Sequence, residues 1–358
     1  MRNTALARVD TAALRHNLGE VRRLCPASRV MAMVKADAYG HGLVAVARAL
    51  HEADGMAVAR LQEALTLREA GIRQRLLLLS TVLDADDLAL CSALQIDVTA
   101  HDAASLAAIE AASRTHPLRA WLKLDSGMHR MGLDAAGFIA ADRVLRAAPG
   151  VIELTHMTHF SDADSPGCAA MDRQVEAFRA AHACNITAKA SLANSAAILT
   201  RPDVHADWVR PGIMLYGGAP LHTQPAPAAS LRAVMTLTAR VVTVRDVNPG
   251  EHVGYARKWT AARPSRVAAV GIGYADGYPR HAPNGTPVWI NGALARLAGR
   301  VSMDTITVDV TDCAGVTVGD EVILWGSGLA AATVAAQAGT VDYELLAGLG
   351  PRVDRAYC

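Results

Sequence analysis

Lys35 lies at the end of a sequence run that favours a buried β-strand. Residues 29–34, Arg-Val-Met-Ala-Met-Val, are mostly apolar, and the lysine follows them directly. Burial disfavours a charged ammonium group and lowers the pKa of a lysine. A neutral amine in a pocket is the nucleophile that Schiff-base chemistry with a carbonyl compound requires. A lysine at a strand end can alternatively extend its ammonium group into solvent, and the residues that follow decide between these interpretations.

The stretch after Lys35 favours the chemical interpretation. Residues 34–42 read Val-Lys-Ala-Asp-Ala-Tyr-Gly-His-Gly, so the lysine is followed by a tyrosine hydroxyl and by two glycines that let a ligand approach the backbone closely. This nonapeptide resembles the cofactor-lysine signature of alanine racemases, enzymes that depend on pyridoxal 5′-phosphate (PLP). The resemblance implies that Lys35 holds PLP as a Schiff base and that Tyr39 helps to bind its phosphate.

A second motif places an arginine beyond a predicted strand. Residues 121–132 read Trp-Leu-Lys-Leu-Asp-Ser-Gly-Met-His-Arg-Met-Gly. An arginine offers two parallel N–H groups to a carboxylate, although a plain surface arginine also explains the segment when it is read alone. The resemblance implies that Arg130 contacts the substrate. It also implies that Lys123 can be carbamylated, which would convert a cation beside Arg130 into an anion that orients it.

Two histidines, His156 and His159, are three residues apart in a predicted strand. On a strand this spacing directs the two side chains to opposite faces, so the sequence predicts no metal site. His159 instead matches the histidine that supports an arginine at the cofactor ring in the resembling family.

Two further segments carry small hydroxyl groups and glycines, namely residues 191–195 (Ser-Leu-Ala-Asn-Ser) and 209–217 (Val-Arg-Pro-Gly-Ile-Met-Leu-Tyr-Gly). Phosphate groups favour small hydroxyls and free backbone N–H groups, but on this ground alone the signal is weak. The resemblance implies that Ser195, Gly212 and Ile213 bind the PLP phosphate. It also implies that Arg210 faces the pyridine nitrogen. Because an arginine keeps its proton, that nitrogen would stay unprotonated, which suits racemisation, whereas many other PLP enzymes place a carboxylate there.

Racemisation calls most simply for two acid/base groups, one on each side of the α-carbon. Lys35 provides one of them. The resemblance implies that the second is Tyr255, in residues 250–259 (Gly-Glu-His-Val-Gly-Tyr-Ala-Arg-Lys-Trp), and that the partner subunit of a head-to-tail homodimer donates it. Read alone, Tyr255 would be a packing tyrosine. Further matches imply that the Met303 N–H holds the substrate carboxylate and that Tyr274 lies at the active-site entrance.

One position departs from the family pattern. Some relatives carry a tyrosine that contacts the phosphate and narrows the pocket about where Pro351 falls. The resemblance therefore leaves one phosphate contact unassigned.

The elements that position these residues follow an alternating pattern. Between residues 29 and 215, apolar runs alternate with amphipathic, alanine-rich stretches, which indicates parallel βαβ units. The predicted strands are Val30–Lys35, Gly55–Ala59, Leu76–Ser80, Ile96–Thr99, Ala120–Asp125, Ile152–His159, Ala188–Asn194 and Trp208–Leu215. Eight such units favour a closed (β/α)8 TIM-type barrel over an open doubly wound sheet. Active sites of such barrels lie at the carboxyl ends of the strands, where Lys35 is predicted to lie.

The sequence pattern changes after the predicted barrel. Closely spaced prolines in residues 219–227 predict a linker, and β-rich runs predominate beyond it, followed by a helical tail. We predict a PLP-binding (β/α)8 barrel at residues 10–225 and a mostly antiparallel β domain at residues 226–358, which the N-terminal strand, residues 1–9, joins. The resemblance implies the same architecture, with the β domain contributing to the partner subunit's active site.

Composition sets aside several other classes of protein. A formal net charge of +1 over 358 residues gives no electrostatic signature of nucleic-acid or membrane binding. The six cysteines are scattered without a CxxC pair, so neither a disulfide framework nor a zinc site is predicted. No segment reads as a signal peptide or a membrane span, and we predict a cytoplasmic protein.

These observations predict a PLP-dependent alanine racemase activity, which interconverts L-alanine and D-alanine for peptidoglycan synthesis or for D-alanine breakdown. Two alternatives stay open. The first is a PLP-dependent amino-acid decarboxylase of the same architecture, against which the Arg210 and Tyr255 motifs argue. The second is a non-catalytic PLP-binding protein, against which the long β domain argues.

Overall fold

The computed structural model describes residues 4–80, 82–165, 167–221 and 230–358. These ranges contain two eight-stranded sheets and one two-stranded ribbon. The strands are β1 (Ala5–Val9), β2 (Arg29–Met33), β3 (Gly55–Val58), β4 (Arg75–Leu78), β5 (Ile96–Ala100), β6 (Leu118–Lys123), β7 (Val151–Met157), β8 (Lys189–Ser191), β9 (Trp208–Val209), β10 (Met235–Val247), β11 (His252–Val253), β12 (Trp259–Thr260), β13 (Ser265–Val270), β14 (Pro287–Ile290), β15 (Ala293–Leu297), β16 (Ile306–Asp309), β17 (Glu321–Trp325) and β18 (Asp354–Tyr357).

The helical segments lie mainly between the strands of the first sheet. They are α1 (Thr11–Leu24), α2 (Lys35–Tyr39), α3 (Leu43–Ala49), α4 (Leu61–Glu69), α5 (Ala85–Ala93), α6 (Ala103–Ser113), α7 (Ala135–Ala147), α8 (Ala169–His182), α9 (Ser195–Thr200), α10 (Ala331–Gln337) and α11 (Asp342–Ala347). Aspartate side chains start several of them, as at α1, where Asp10 Oδ1 accepts the N–H groups of Ala12 and Ala13 at 2.8 Å each. Within the described ranges, no helix combines the length and the apolar character that crossing a membrane would require.

Strands β2 to β9 form a parallel barrel. Each strand from β2 to β7 pairs with the next in the chain, and β9 returns to pair with β2. The remaining gap closes through a parallel bridge between Asn194 and Arg210 and through a hydrogen bond of 3.1 Å from the Asp207 N–H to Ala190 O. Strands β3 and β5 are buried at every residue, as expected when helices cover a parallel sheet. The predicted α/β barrel is confirmed.

The last predicted barrel strand is wrong beyond its first two residues. The sequence pattern predicts a strand from Trp208 to Leu215, but β9 ends at Val209 and residues 213–216 form a 3-10 turn. Pro211 has no N–H to donate to a neighbouring strand, so the parallel ladder cannot continue through it. Its carbonyl accepts the Met33 N–H at 3.0 Å instead, which holds this turn against the end of β2.

The second sheet has the order β13-β16-β15-β14-β17-β10-β1-β18. Its pairings are antiparallel except between β1 and β18, so the predicted mostly antiparallel β domain is confirmed. The ribbon β11–β12 extends from this domain. The predicted linker overlaps residues 222–229, and the predicted boundary between residues 225 and 226 lies outside the described residues, so it stays a prediction.

Candidate active site

A cavity of about 660 Å³ opens at the carboxyl ends of the barrel strands. It is lined by nine of the residues that the sequence predicts to be functional, namely Lys35, Tyr39, Lys123, Arg130, His159, Ser195, Arg210, Gly212 and Ile213. These residues lie at or just beyond the ends of five barrel strands, so the fold assembles them from distant parts of the chain.

Lys35 enters the cavity directly after β2 and Val34. Burial is the main cause that lowers the pKa of its ammonium group, and the Arg130 guanidinium lowers it further. The Glu63 carboxylate acts in the opposite direction. In this setting Lys35 gives up its proton more readily than a lysine in solvent does.

The backbone turns in an unusual way immediately after Lys35. Ala36, Asp37, Ala38 and Tyr39 all have φ between 53° and 55°, which is the left-handed region that residues other than glycine rarely adopt in succession. Tyr39 is thereby brought back to the cavity, with its hydroxyl so close to Gly212 that a Cβ on that residue would lie 2.5 Å away. Sequence patterns did not predict this left-handed turn.

Several hydrogen-bond donors converge beside the Tyr39 hydroxyl. The Ser195 hydroxyl oxygen accepts the Gly212 N–H at 2.8 Å, so its own hydrogen is free to donate into the cavity. The Ile213 N–H makes no hydrogen bond among the described residues. Burial raises the pKa of Tyr39 to about 12, which keeps its hydroxyl protonated at neutral pH. This end of the cavity can therefore bind an anion through hydroxyl and backbone donors.

Arg210 is 4% exposed and lines the cavity. Its Nη1 donates to Ser191 Oγ at 2.6 Å, and its Nη2 donates to the carbonyl oxygens of Thr158 at 2.5 Å and Leu192 at 3.3 Å. The Nε–H and the second Nη1–H find no acceptor in the described part of the chain. Burial lowers the pKa of Arg210 to about 10, so the group stays cationic at neutral pH. A buried cation with free N–H groups calls for an acceptor in the cavity.

The remaining polar residues of the cavity are also perturbed by burial and by these cations. Burial, followed by the charges of Arg210, Arg130 and Lys35, lowers the pKa of Lys123 to about 8. Burial lowers the pKa of His159 well below its usual range, and Arg210 adds to this effect, so the imidazole is neutral. Positive charge therefore predominates in the cavity, which favours an anionic ligand.

Three of the predicted residues lie elsewhere, on the surface of the β domain. Tyr255 is 68% exposed on the turn between β11 and β12, Met303 is 53% exposed and Tyr274 is 39% exposed. The Tyr274 and Met303 loops are neighbours, because the Tyr274 N–H donates to Ser302 O at 3.0 Å. The Tyr255 turn lies near them, because a Cβ on Gly254 would lie 3.5 Å from Arg300 N. The Met303 N–H makes no hydrogen bond among the described residues. None of the three lines the cavity of its own chain.

Two tyrosines that sequence analysis did not single out pack around Tyr39. Tyr216 stacks on the Tyr39 ring at 4.7 Å between centroids, and its hydroxyl donates to Met33 O at 2.8 Å. Tyr343, from α11, lines the cavity with its ring 6.1 Å from that of Tyr39, whereas Pro351 is not among the lining residues. Neither tyrosine carries a local sequence signal, since their roles depend on contacts between distant segments.

No three His, Cys, Asp or Glu side chains in the described ranges are grouped so that they could hold a metal ion.

Comparison with known proteins places both parts of the chain in one family. Residues 9–220 match the family described as alanine racemase, N-terminal domain, and residues 234–357 match alanine racemase, C-terminal domain. The chain is 46% identical to an alanine racemase of Nitrosospira multiformis over 98% of each chain. It is 48% identical to the catabolic alanine racemase of Pseudomonas aeruginosa over 99% of this chain and 98% of the other. The crystal structure of the biosynthetic alanine racemase of the same organism superposes with a TM-score of 0.96, at 46% identity, over 99% of each chain.

Proposed function

We propose a role in racemisation for each site residue of this chain, which belongs to the alanine racemase family and is therefore a PLP-dependent enzyme that interconverts L-alanine and D-alanine. Lys35 acts on one face of the α-carbon and the partner subunit's Tyr255 acts on the other. The observation that carries this proposal is that Lys35 shares one cavity with the anion-binding groups at Ser195 and Ile213 and with the free N–H groups of Arg210. Family membership sets aside the decarboxylase and the non-catalytic PLP-binding protein.

The donor set of the cavity fits PLP. The Ser195 and Tyr39 hydroxyls and the Ile213 N–H would hold the phosphate, and the free N–H groups of Arg210 would donate to the ring nitrogen. His159, whose imidazole is neutral, lines the same cavity and would support Arg210 at the cofactor ring. When bound, PLP withdraws electrons from the α-carbon of the amino acid and makes its α-proton acidic.

Lys35 is suited to take that proton or return it. Its lowered pKa leaves a larger fraction of neutral amine near neutral pH than an exposed lysine would have. Arg130 lines the same cavity and offers N–H donors to the carboxylate of alanine. Arg210 donates its hydrogen bonds without transferring a proton, because it stays protonated.

The second acid/base group must come from another chain. Tyr255 is largely exposed and lies outside its own cavity, so a single protomer holds only one of the two groups. An isologous homodimer would bring the exposed loops of each β domain to the barrel mouth of its partner and build two equivalent sites. Tyr274 would then lie at the entrance, and the free Met303 N–H would bind the substrate carboxylate.

Lys123 is suited to carbamylation. Only a neutral amine reacts with carbon dioxide, and the lowered pKa of about 8 increases the neutral fraction of this lysine. The product would be an anion surrounded by Arg210, Arg130 and Lys35, in place of a further cation. Such a charge would orient Arg130 toward the substrate.

We also propose that the enzyme works in the cytoplasm, where it supplies D-alanine for peptidoglycan or degrades it. The relatives named biosynthetic and catabolic are 46% and 48% identical to this chain, so similarity does not separate the two roles.

Subunit complementation tests the shared site. Inactive Lys35→Ala and inactive Tyr255→Phe chains are mixed and allowed to exchange subunits. Each mixed dimer has one site with both defects and one intact site, so an equal mixture should regain about a quarter of the wild-type activity. If both groups came from one chain, every site would keep a defect. Proven exchange without recovery would contradict the shared site and leave the assignment of Lys35 intact.

A further inference from the structure

The left-handed turn that follows Lys35 needs contacts from outside itself. Four consecutive non-glycine residues, 36–39, adopt positive φ angles, a conformation in which each Cβ crowds the next carbonyl oxygen. Such backbone persists only where surrounding structure determines it, and it occurs mostly at functional sites. The contacts that hold this turn are therefore part of how the site is built.

Part of the support comes from the barrel. The Glu63 carboxylate accepts the Ala36 N–H at 2.7 Å, and Asp37 Oδ1 accepts the Leu43 N–H at 2.8 Å. These bonds tie the first two residues of the turn to α4 and to the start of α3. Neither bond involves the carbonyl group of Gly40, which lies between the turn and α3.

Further support comes from the last strand of the β domain. Arg355, on β18, donates from Nε to Gly40 O at 2.8 Å, and its Nη2 lies 3.7 Å from Asp37 Oδ2. The same guanidinium is anchored by Val353 O at 3.1 Å and Leu349 O at 3.3 Å. Its side chain is only 16% exposed.

The backbone after the turn also packs tightly against this domain. A Cβ on Gly40 would collide with the carbonyl oxygen of Leu346, and a Cβ on Gly42 would collide with the hydroxyl of Tyr357. Both glycines have positive φ, 78° and 94°. Neither the loop nor the strand can shift without disturbing the other.

We propose that Arg355 is a positioning residue, which holds the turn so that Lys35 and Tyr39 reach the same cavity. The planar Arg355 guanidinium has several N–H donors, so it can contact Gly40 O and Asp37 and also the carbonyl groups of its own domain. The single ammonium nitrogen of a lysine could not make all of these contacts. Loss of Arg355 would let the turn relax toward the right-handed region, and Tyr39 would leave its place beside Gly212. This inference rests on the proposed role of Lys35 and Tyr39 in holding PLP.

The test measures PLP binding by the apoenzyme of Arg355→Met. We expect the dissociation constant of PLP to rise roughly tenfold or more, since a largely buried charged donor is lost. Amide hydrogen exchange in residues 36–42 should become faster. The matched control is Arg8→Met, because Arg8 also lies on the second sheet and pairs with Glu321, but it does not contact the turn. Arg8→Met should leave both the PLP affinity and the exchange of residues 36–42 unchanged.

Three results would overturn the proposal. They are unchanged PLP affinity in Arg355→Met, equal loss of affinity in both variants, and exchange in residues 36–42 that stays as slow as in the wild type. Should Arg355→Met fail to fold, Arg355→Lys carries the test, with a several-fold weaker affinity expected and wild-type affinity refuting the proposal. Borohydride reduction followed by peptide mapping distinguishes failure of this proposal from failure of the assignment of Lys35. PLP fixed on another residue would refute the assignment of Lys35 itself.

Discussion

Replacing Arg210 by lysine separates its contact with PLP from its role in the fold. In the protein, Arg210 donates to Ser191 Oγ, Thr158 O and Leu192 O from a fully enclosed position. A lysine keeps the charge but can satisfy only part of this set. Glutamate would be less informative, because it would place a carboxylate opposite two carbonyl oxygens and destabilise the fold directly.

The expected magnitudes follow from the hydrogen bonds. A bond from a charged donor contributes about 1.5–3 kcal/mol, so losing two of the three would lower the unfolding free energy of the apoenzyme by about 3–6 kcal/mol. The two Arg210 N–H groups that have no acceptor among the described residues would be lost as well. Their loss should lower stability only when PLP is present. We expect PLP binding to weaken by about 1.5 kcal/mol or more, which is roughly tenfold.

The assay is urea unfolding of apoenzyme and of PLP-saturated enzyme, together with direct titration of PLP. A ligand stabilises the folded state according to its affinity, so the extra loss in the PLP-saturated enzyme should equal the loss of binding free energy. Ser191→Ala is the matched control, because it removes one acceptor of Arg210 but no donor that faces the cavity. It should destabilise both forms by about 1–3 kcal/mol without changing PLP affinity. Equal PLP affinities in the two variants would refute the assignment of Arg210 to the cofactor.

Two further predictions concern the lysines of the cavity. Lys35→Ala should abolish racemisation in both directions and prevent borohydride from fixing PLP at this position. The control Lys189→Ala, which alters a lysine paired with Glu153 outside the cavity, should do neither. Wild-type turnover in Lys35→Ala would contradict the assignment of Lys35. Because the pKa of Lys123 is lowered to about 8 from its ordinary 10.5, the unfolded chain binds more protons between these values, and apoenzyme stability should gain a contribution as pH rises from about 8 to 10.5. Urea unfolding across this range, in carbon dioxide-free buffer where Lys123 is a free amine, should show that Lys123→Met lacks the rise. An unchanged pH dependence would show that the pKa of Lys123 is not lowered.

Local sequence patterns were sufficient to predict most of the barrel. Strand β3 (Gly-Met-Ala-Val), for example, is a short apolar run, and helical stretches on either side separate it from the neighbouring strands in the sequence. The prediction was wrong where a single residue changes the backbone chemistry, as at Pro211, after which the apolar residues 213–216 form a turn rather than a strand. Apolar character alone does not distinguish these two outcomes.

The candidate site was predictable only as far as its motifs. The cavity contains nine predicted residues because each lies at the end of a barrel strand or in the segment that follows it, and the barrel brings these strand ends together. The left-handed turn at residues 36–39 was not predictable, because it depends on Glu63 and on Arg355, which is more than 300 residues away in sequence. Tyr216 and Tyr343 were not predictable for the same reason, since their contribution to the site is packing against Tyr39.

The two proposed acid/base residues share one backbone feature and differ in how it is held. Lys35 is followed by the left-handed residues 36–39, and Tyr255 is followed by Ala256 and Arg257, whose φ angles are 58° and 50°. Around Lys35, the C-terminal strand of the same chain closes over the turn, so this half of the site is complete in one protomer. Tyr255 is exposed, and the described part of its own chain does not cover its turn in this way. The β domain thus contributes to the proposed chemistry in two ways, within its own chain through Arg355 and across the proposed dimer through Tyr255. Loss of dimerisation should therefore abolish turnover while PLP stays bound at Lys35.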